Sequence, residues 1–372
     1  MLQRASSARH QGSDPFRVAG IMALGMALVL AAAAFGSPSL YVPGVALILL
    51  VCAALVWVGL AGARASLERR PGPGTVEEGQ GWPLAIIARA GIVPAPGGDL
   101  REPLLRGALP MAGRTQRRVQ VNVTFERRGR RLLDPATLTI ADPLGLVERR
   151  LHAGAGQEVL VLPRIEPVRA SGSGAAARAG PPAAARPAET AAEVEMESLR
   201  PYREGAPASR IHWPTVARTG TLMERRLLAD ADSRPLVVLD PTGAASDEDL
   251  DKAVRAAASL TVHLARAGGC ALLLPGDRRA TDLGPDLAGW PPLHARLALV
   301  EEGSARLALR AQSRRGAIYW VTAARLGGAP RAVARFHGEC HLVLPGAPEG
   351  RASFMVAGCA GIPIGRAERR AA

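Results

Sequence analysis

Lysine is almost missing from this chain: Lys252 is the only one, so the formal net charge of +13 is carried almost wholly by arginine. Aromatic residues make up only 3% of the 372 residues, and the arginines are scattered instead of gathered into a stripe with aromatics between them. Single-strand binding surfaces need such interleaved stacking platforms, so nucleic acid is not an expected partner. With so few aromatics in a chain that is 48% hydrophobic, Ala and Val must do much of the apolar work. Four cysteines, Cys52, Cys270, Cys340 and Cys359, show neither a CxxC pair nor framework spacing. This excludes a disulfide-stapled scaffold and fits thiols that serve as small hydrophobes in a reducing compartment. Walker A, G-x-S-x-G and H-E-x-x-H patterns are all absent, so no familiar enzyme motif speaks for catalysis.

Charge is also missing from two long stretches. Val18 to Phe35 and Leu40 to Ala63 contain no ionisable Asp, Glu, Lys or Arg and are apolar almost throughout. Each is close to or above the roughly 20 residues that cross a bilayer as a helix. Gly36-Ser37-Pro38-Ser39 makes a short uncharged turn between them, with Pro43 expected in the first turn of the second helix. The span 18–63 is therefore expected to be a transmembrane hairpin after an N-terminal tail, 1–17. Arg4, Arg9 and Arg17 precede it and Arg64, Arg69 and Arg70 follow it, so both flanks are expected on the cytoplasmic face of the inner membrane. The same arginines would attract anionic headgroups, making membrane lipids a partner.

Beyond the hairpin the apolar period falls to two. Val119, Val121, Val123 and Phe125 alternate with polar residues and share one face of a strand. Leu138 to Ile140 and Glu158 to Leu162 read as further strands, with Asp142-Pro143-Leu144-Gly145-Leu146 as a turn. A small antiparallel β-sandwich-like domain over 71–168 is expected. The Ala, Gly, Ser, Pro and Arg composition of Ala170 to Ala188 predicts a linker over 169–192.

The segment 193–229 is the densest in polar residues: Tyr202-Arg203-Glu204-Gly205, then Arg210-Ile211-His212-Trp213, then Arg218. Arg203, Arg210 and Arg218 with Glu204 are expected to cluster around Trp213, where guanidinium and indole attract. With no nucleophile–base pair among them, the expected use is structural clamping and partner docking. Over 230–372, apolar runs at Pro235 to Asp240, Ala271 to Leu274, Ala317 to Thr322 and His341 to Leu344 alternate with helical or turn segments. The longest helix is expected over Leu250 to Ala267, stopped by Gly268-Gly269. Such alternation implies a parallel α/β sheet, with ligands gathering at the carboxyl ends of strands, beside Asp240. His337-Gly338-Glu339-Cys340-His341 holds three zinc-type ligands. Adjacent Cys340 and His341 point to opposite faces of a strand, however, so a turn entering a buried strand is expected in place of a metal site.

The Arg/Tyr/Gly and Ile-x-Trp pattern resembles the bacterial family called domain of unknown function 58. Its members are similar in order: a two-helix anchor, a β-rich segment with an Asp-Pro-aromatic-Gly-Leu turn, this polar signature, and a von Willebrand factor type A-like domain. Two positions depart from the pattern, Leu144 where Phe is usual and Ala206 where an acid is expected. The resemblance implies a membrane-anchored α+β multidomain protein, non-enzymatic, working as a scaffold or adaptor with a MoxR-type AAA+ ATPase. Von Willebrand A domains often hold Mg²⁺ through Asp-x-Ser-x-Ser with further ligands from other loops. Here the corresponding stretch is Asp240-Pro241-Thr242-Gly243-Ala244, and the usual acidic ligand is missing from Thr322-Ala323-Ala324-Arg325, which follows the strand ending at Val321. The resemblance therefore implies a degenerate site, Asp240 and Thr242, and no obligatory cofactor. Mg²⁺-dependent ligand binding and an envelope-metabolism enzyme using Arg203, His212 and Arg218 are the alternatives.

Overall fold

The computed structural model describes residues 6–7, 15–153, 156–171, 196–202, 211–227, 234–303, 316–325, 332, 336, 338–346 and 352–365. Most of the expected linker, as well as Arg203, Glu204, Gly205, Arg210 and His337, lies outside them. By its own contacts the chain divides into two units, residues 1–126 with 130–160, and 127–129 with 161–372.

The first unit begins with two helices, α1 (Pro15–Phe35) and α2 (Pro38–Gly62), both long and apolar enough to cross a membrane. Gly36, in the left-handed region at φ 62°, reverses the chain, and Pro38 takes the first position of α2, where its missing N–H costs nothing. Pro43 is consequently inside the helix and not in its first turn, because α2 starts two residues earlier than the apolar run did. The two helices meet at glycines. A Cβ on Gly44 would come 2.9 Å from the Gly25 carbonyl and from Val29, and one on Gly25 would come 3.0 Å from the Gly44 carbonyl. Small residues at this crossing let the backbones approach, as packing between apolar helices requires.

The remainder of this unit is strands: β1 (Ser6–Ser7), β2 (Ser66–Pro71), β3 (Thr75–Glu77), β4 (Gly81–Arg89), β5 (Gly98–Arg101), β6 (Leu109–Pro110), β7 (Gln116–Thr124), β8 (Gly129–Leu133), β9 (Thr137–Ala141), β10 (Glu148–Ala153) and β11 (Gln157–Leu162). They form sheets in the orders β2-β4-β7, β3-β11-β8 and β1-β10-β9-β5-β6. Pairing is antiparallel between β2 and β4, β4 and β7, β9 and β10, and β5 and β9. The alternation read from the sequence is visible in β7, where Val119, Val121 and Val123 are half-buried and their neighbours exposed. Phe125 follows the strand and packs edge-on against Trp82, which is fully buried. The turn after β9 is closed by Asp142, whose carboxylate accepts from the N–H groups of Leu144 (2.9 Å) and Val147 (2.6 Å). Leu144 itself is exposed at the tip. Strand β2 starts at Ser66, ahead of the Pro71 where the sequence pattern changes, because its partner β4 determines its extent.

The second unit contains β12 (Arg169–Ala170), β13 (Met196–Pro201), β14 (Met223–Leu227), β15 (Leu236–Asp240), β16 (Cys270–Leu273), β17 (Thr281–Leu283), β18 (Ile318–Thr322), β19 (Cys340–Pro345), β20 (Phe354–Val356) and β21 (Cys359–Pro363). Among the described residues one sheet runs β12-β20-β21-β19-β18-β15-β16-β17. Its centre, β16-β15-β18-β19, is parallel, and β17, β21, β20 and β12 extend it antiparallel on both sides. The sheet is thus mixed rather than wholly parallel.

Helix α3 (Trp213–Thr219) is short; α4 (Asp247–Gly268) and α5 (Trp290–Ala298) flank the large sheet. Ser246 caps α4 by accepting from Asp249 N–H, and acids fill its first turn. Ala253, Ala256, Ala257 and Ala258 are fully buried in one core with Val237, Leu239 and Tyr319. Alanine lets this helix sit close on the sheet, which is how a chain poor in aromatics fills its interior.

Candidate functional site

The four parallel strands run in sequence order second, first, third, fourth across the sheet, so the order reverses between β15 and β18. Loops leaving the carboxyl ends at such a reversal diverge and leave a crevice. Asp240 and Thr322 are direct register partners at those ends, and Ala323 N–H donates to the Asp240 carbonyl at 3.0 Å. Thr242 bonds the Asp240 carboxylate twice at one oxygen, through its hydroxyl (2.7 Å) and its N–H (3.1 Å). Gly243, at φ 74°, turns the loop beside Ala324. Ala244 packs toward the core and contributes no oxygen. Thr322 Oγ1 accepts from Ala324 N–H at 3.2 Å.

Three residues beyond Thr322, Arg325 donates to Asp249 at 2.8 Å. Asp249 is 1% exposed and also accepts from the Ser246 hydroxyl at 2.9 Å. Burial raises its pKa, yet the hydrogen bonds from Arg325 and Ser246 and the charges of Arg325 and Lys252 outweigh it and hold the carboxyl below its usual range. The pairing of Asp249 with Arg325 gives no sign in the sequence, although Ser246-x-x-Asp249 carries the spacing of a helix cap.

A hard cation takes six or more oxygens. Asp240, Thr242 and Thr322 bring one carboxylate and two hydroxyls to the strand ends. This donor set does not fit a resident Mg²⁺.

Of the polar signature, Tyr202 and His212 are placed by backbone bonds to the start of β14: Tyr202 N–H to Leu222 (3.0 Å) and His212 N–H to Met223 (2.8 Å). His212 Nδ1 pairs with the Thr215 hydroxyl at 2.7 Å, and Ile211 beside it is buried. Trp213 opens α3 and is 60% exposed. Arg218 lies in the last turn of the same helix, five residues on and about 140° around it, so the two do not face each other. The expected arginine cluster around Trp213 is thus not made by Arg218; Arg203, Glu204, Gly205 and Arg210 fall outside the described residues.

Cys340 and His341 do point oppositely. Cys340 joins the core of Trp320 and Leu342, while His341 stacks on Tyr319, with ring centroids 5.0 Å apart. Cys270, Cys340 and Cys359 are buried, and burial pushes the Cys270 and Cys359 thiols up to about 12, which keeps them protonated.

The chain matches no protein-family model and no curated protein.

The strand ends therefore carry one acid and two hydroxyls, followed by an arginine paired with Asp249.

Proposed function

We propose that this protein is a two-pass membrane protein whose hairpin holds a von Willebrand A-like α/β unit at the cytoplasmic face of the inner membrane, as a non-enzymatic scaffold for a MoxR-type AAA+ ATPase. The observation that carries the anchor is where apolar surface is exposed. Leu24, Leu30, Val42, Leu49 and Val56 on α1 and α2 are all more than half exposed. Only 11% and 22% of the two apolar spans are buried, whereas the core helix of a soluble protein is mostly buried. A continuous band of this kind needs lipid around it.

The scaffold part rests on the family resemblance, supported by one feature. The sheet of the second unit has a parallel centre with Asp240 ending its first parallel strand, the layout which that resemblance implies. Tyr202, His212, Trp213 and Arg218, with exposed Trp213 as the anchor residue, are the proposed docking group.

Purification of the full chain from native membranes in mild detergent is the test. An AAA+ ATPase of the MoxR type should co-purify, and Trp213→Ala should reduce its recovery. Recovery of the intact chain without any such ATPase would remove the partner assignment.

A further inference from the structure

The segment Gly91–Pro94, between β4 and β5, is locked to the last turns of α2. Gly91 N–H donates to the Ala61 carbonyl at 2.6 Å and Ile92 N–H to the Leu60 carbonyl at 3.1 Å. These are carbonyls that the end of a helix leaves without helical donors. One turn deeper, the Trp57 indole N–H donates to the Pro94 carbonyl at 3.2 Å. A side chain at Gly91 would collide with the carbonyls of Ala63 and Leu60, so only glycine allows this approach. On the other side Ala90 and Ala95 donate to the carbonyls of Thr115 (2.8 Å) and Arg114 (3.1 Å), which ties the segment to the sheet.

The level of this segment along α2 is therefore fixed. The 25 residues of α2 rise about 37 Å, about 7 Å more than a typical hydrocarbon core of about 30 Å. Centred, the helix emerges by roughly two residues at each end. That puts Leu60 at the hydrocarbon edge and Trp57 about 4 Å inside it, the depth at which tryptophan is enriched. Ile92, bonded to Leu60, lies at the same edge. It is 63% exposed, and Arg64, Arg89 and Arg114 are exposed around the same end.

We propose that the Ile92–Pro94 tip is a second membrane contact: Ile92 inserts at the boundary between headgroups and acyl chains, and Arg64, Arg89 and Arg114 meet anionic headgroups around it. The first unit is then seated on the bilayer at two points, the helix and the tip, and cannot swivel about Ala63 alone. The occupant is lipid because the tip is bonded to the flank of a helix that lipid itself surrounds, and because its rim is basic. This inference rests on the hairpin spanning the bilayer.

The experiment uses the full chain with Cys52→Ala, reconstituted in vesicles of phosphatidylglycerol and phosphatidylethanolamine. A nitroxide is placed at Ile92→Cys or, in a second sample, at Leu49→Cys midway along α2. Collisions with oxygen, which concentrates in lipid, are compared with those of a water-soluble nickel chelate. Both labels are expected to favour oxygen, with Ile92 shallower than Leu49. A Leu49 label shielded from nickel beside an Ile92 label open to it would overturn the inference and leave the anchor standing. An Ile92 label that meets neither relaxer is buried in protein, which also overturns it. A Leu49 label open to nickel removes the membrane-spanning reading itself, and the tip contact with it.

Discussion

Arg325 reaches back 76 positions to hold Asp249, a carboxylate that burial alone would push toward its neutral form. Because the folded pKa is lowered, the stabilisation is present above the ordinary aspartate value of about 4 and is lost as pH falls through the folded value. Arg325→Ala removes the hydrogen bond and the nearest charge that hold the carboxyl down, so its folded value rises toward the unfolded one. The variant should be less stable at neutral pH, and melting curves of the purified chain between about pH 6 and about pH 3 should show R325A losing less of its stability to acid than the native chain. Arg69 and Glu102 behave differently. Their side chains are 7% and 0% exposed and meet at 2.6 Å, yet burial outweighs the arginine charge and Glu102 stays above the usual range. Arg69→Ala strands that acid and should cost about 3 kcal/mol or more, read as a lowered denaturation midpoint, while R69A with Glu102→Gln should recover part of it. His341 supplies a third titration. Burial lowers its pKa against the opposing charge of Glu339, and its Nδ1 has no hydrogen-bond partner among the described residues. Protonation of the unfolded chain therefore erodes stability as pH falls below about 6.5. His341→Phe keeps the stack on Tyr319 and should flatten that part of the pH profile.

At the scale of elements, what was legible in the sequence is what has a period. The charge-free runs became α1 and α2, the alternation around Val119 became β7, and the apolar run after Pro235 became β15. What escaped was decided by partners far along the chain. The start of β2 depends on β4, the antiparallel flanks of the large sheet come from β17 on one side and from β21, β20 and the distant β12 on the other, and Gly91 gives no local sign that it must pass against α2. The site divides in the same way. Asp240 at a strand end was readable, whereas the Arg325–Asp249 pair was not, since a lone arginine and a first-turn aspartate are ordinary surface residues until the sheet brings them together. Glycine also sets the helix hairpin. Gly44→Leu has nowhere to put its side chain against Gly25 and Val29, and overpacking of this kind costs about 1–3 kcal/mol. A lower unfolding temperature in micelles is expected for G44L. Gly20→Leu, which meets nothing within 4 Å, should leave it unchanged.

For the whole molecule, the distribution of arginine bears on which side of the membrane the soluble parts occupy. The chain carries one lysine and a formal charge of +13, yet nothing basic lies in the turn at Gly36–Ser39. In the proposed orientation both flanks stay cytoplasmic because Arg4, Arg9 and Arg17 on one side, and Arg64, Arg69 and Arg70 on the other, resist translocation while the neutral turn does not. Arg69 is buried against Glu102 once the chain is folded, but orientation is decided on the unfolded chain, where it still counts. A reporter that works only in the cytoplasm, fused after Ala372, should be active. The stronger test moves the charge. Changing Arg4, Arg9 and Arg17 to Gln and placing Lys at Ser37 and Ser39 opposes the native bias at the first span. A measurable fraction of chains should then hold the turn inside, and a reporter that is active only outside should gain signal from the displaced N-terminus. If the native bias is what sets the orientation, restoring the three arginines while keeping the two lysines should reverse most of that gain, because opposed signals at a short hairpin are settled by their difference.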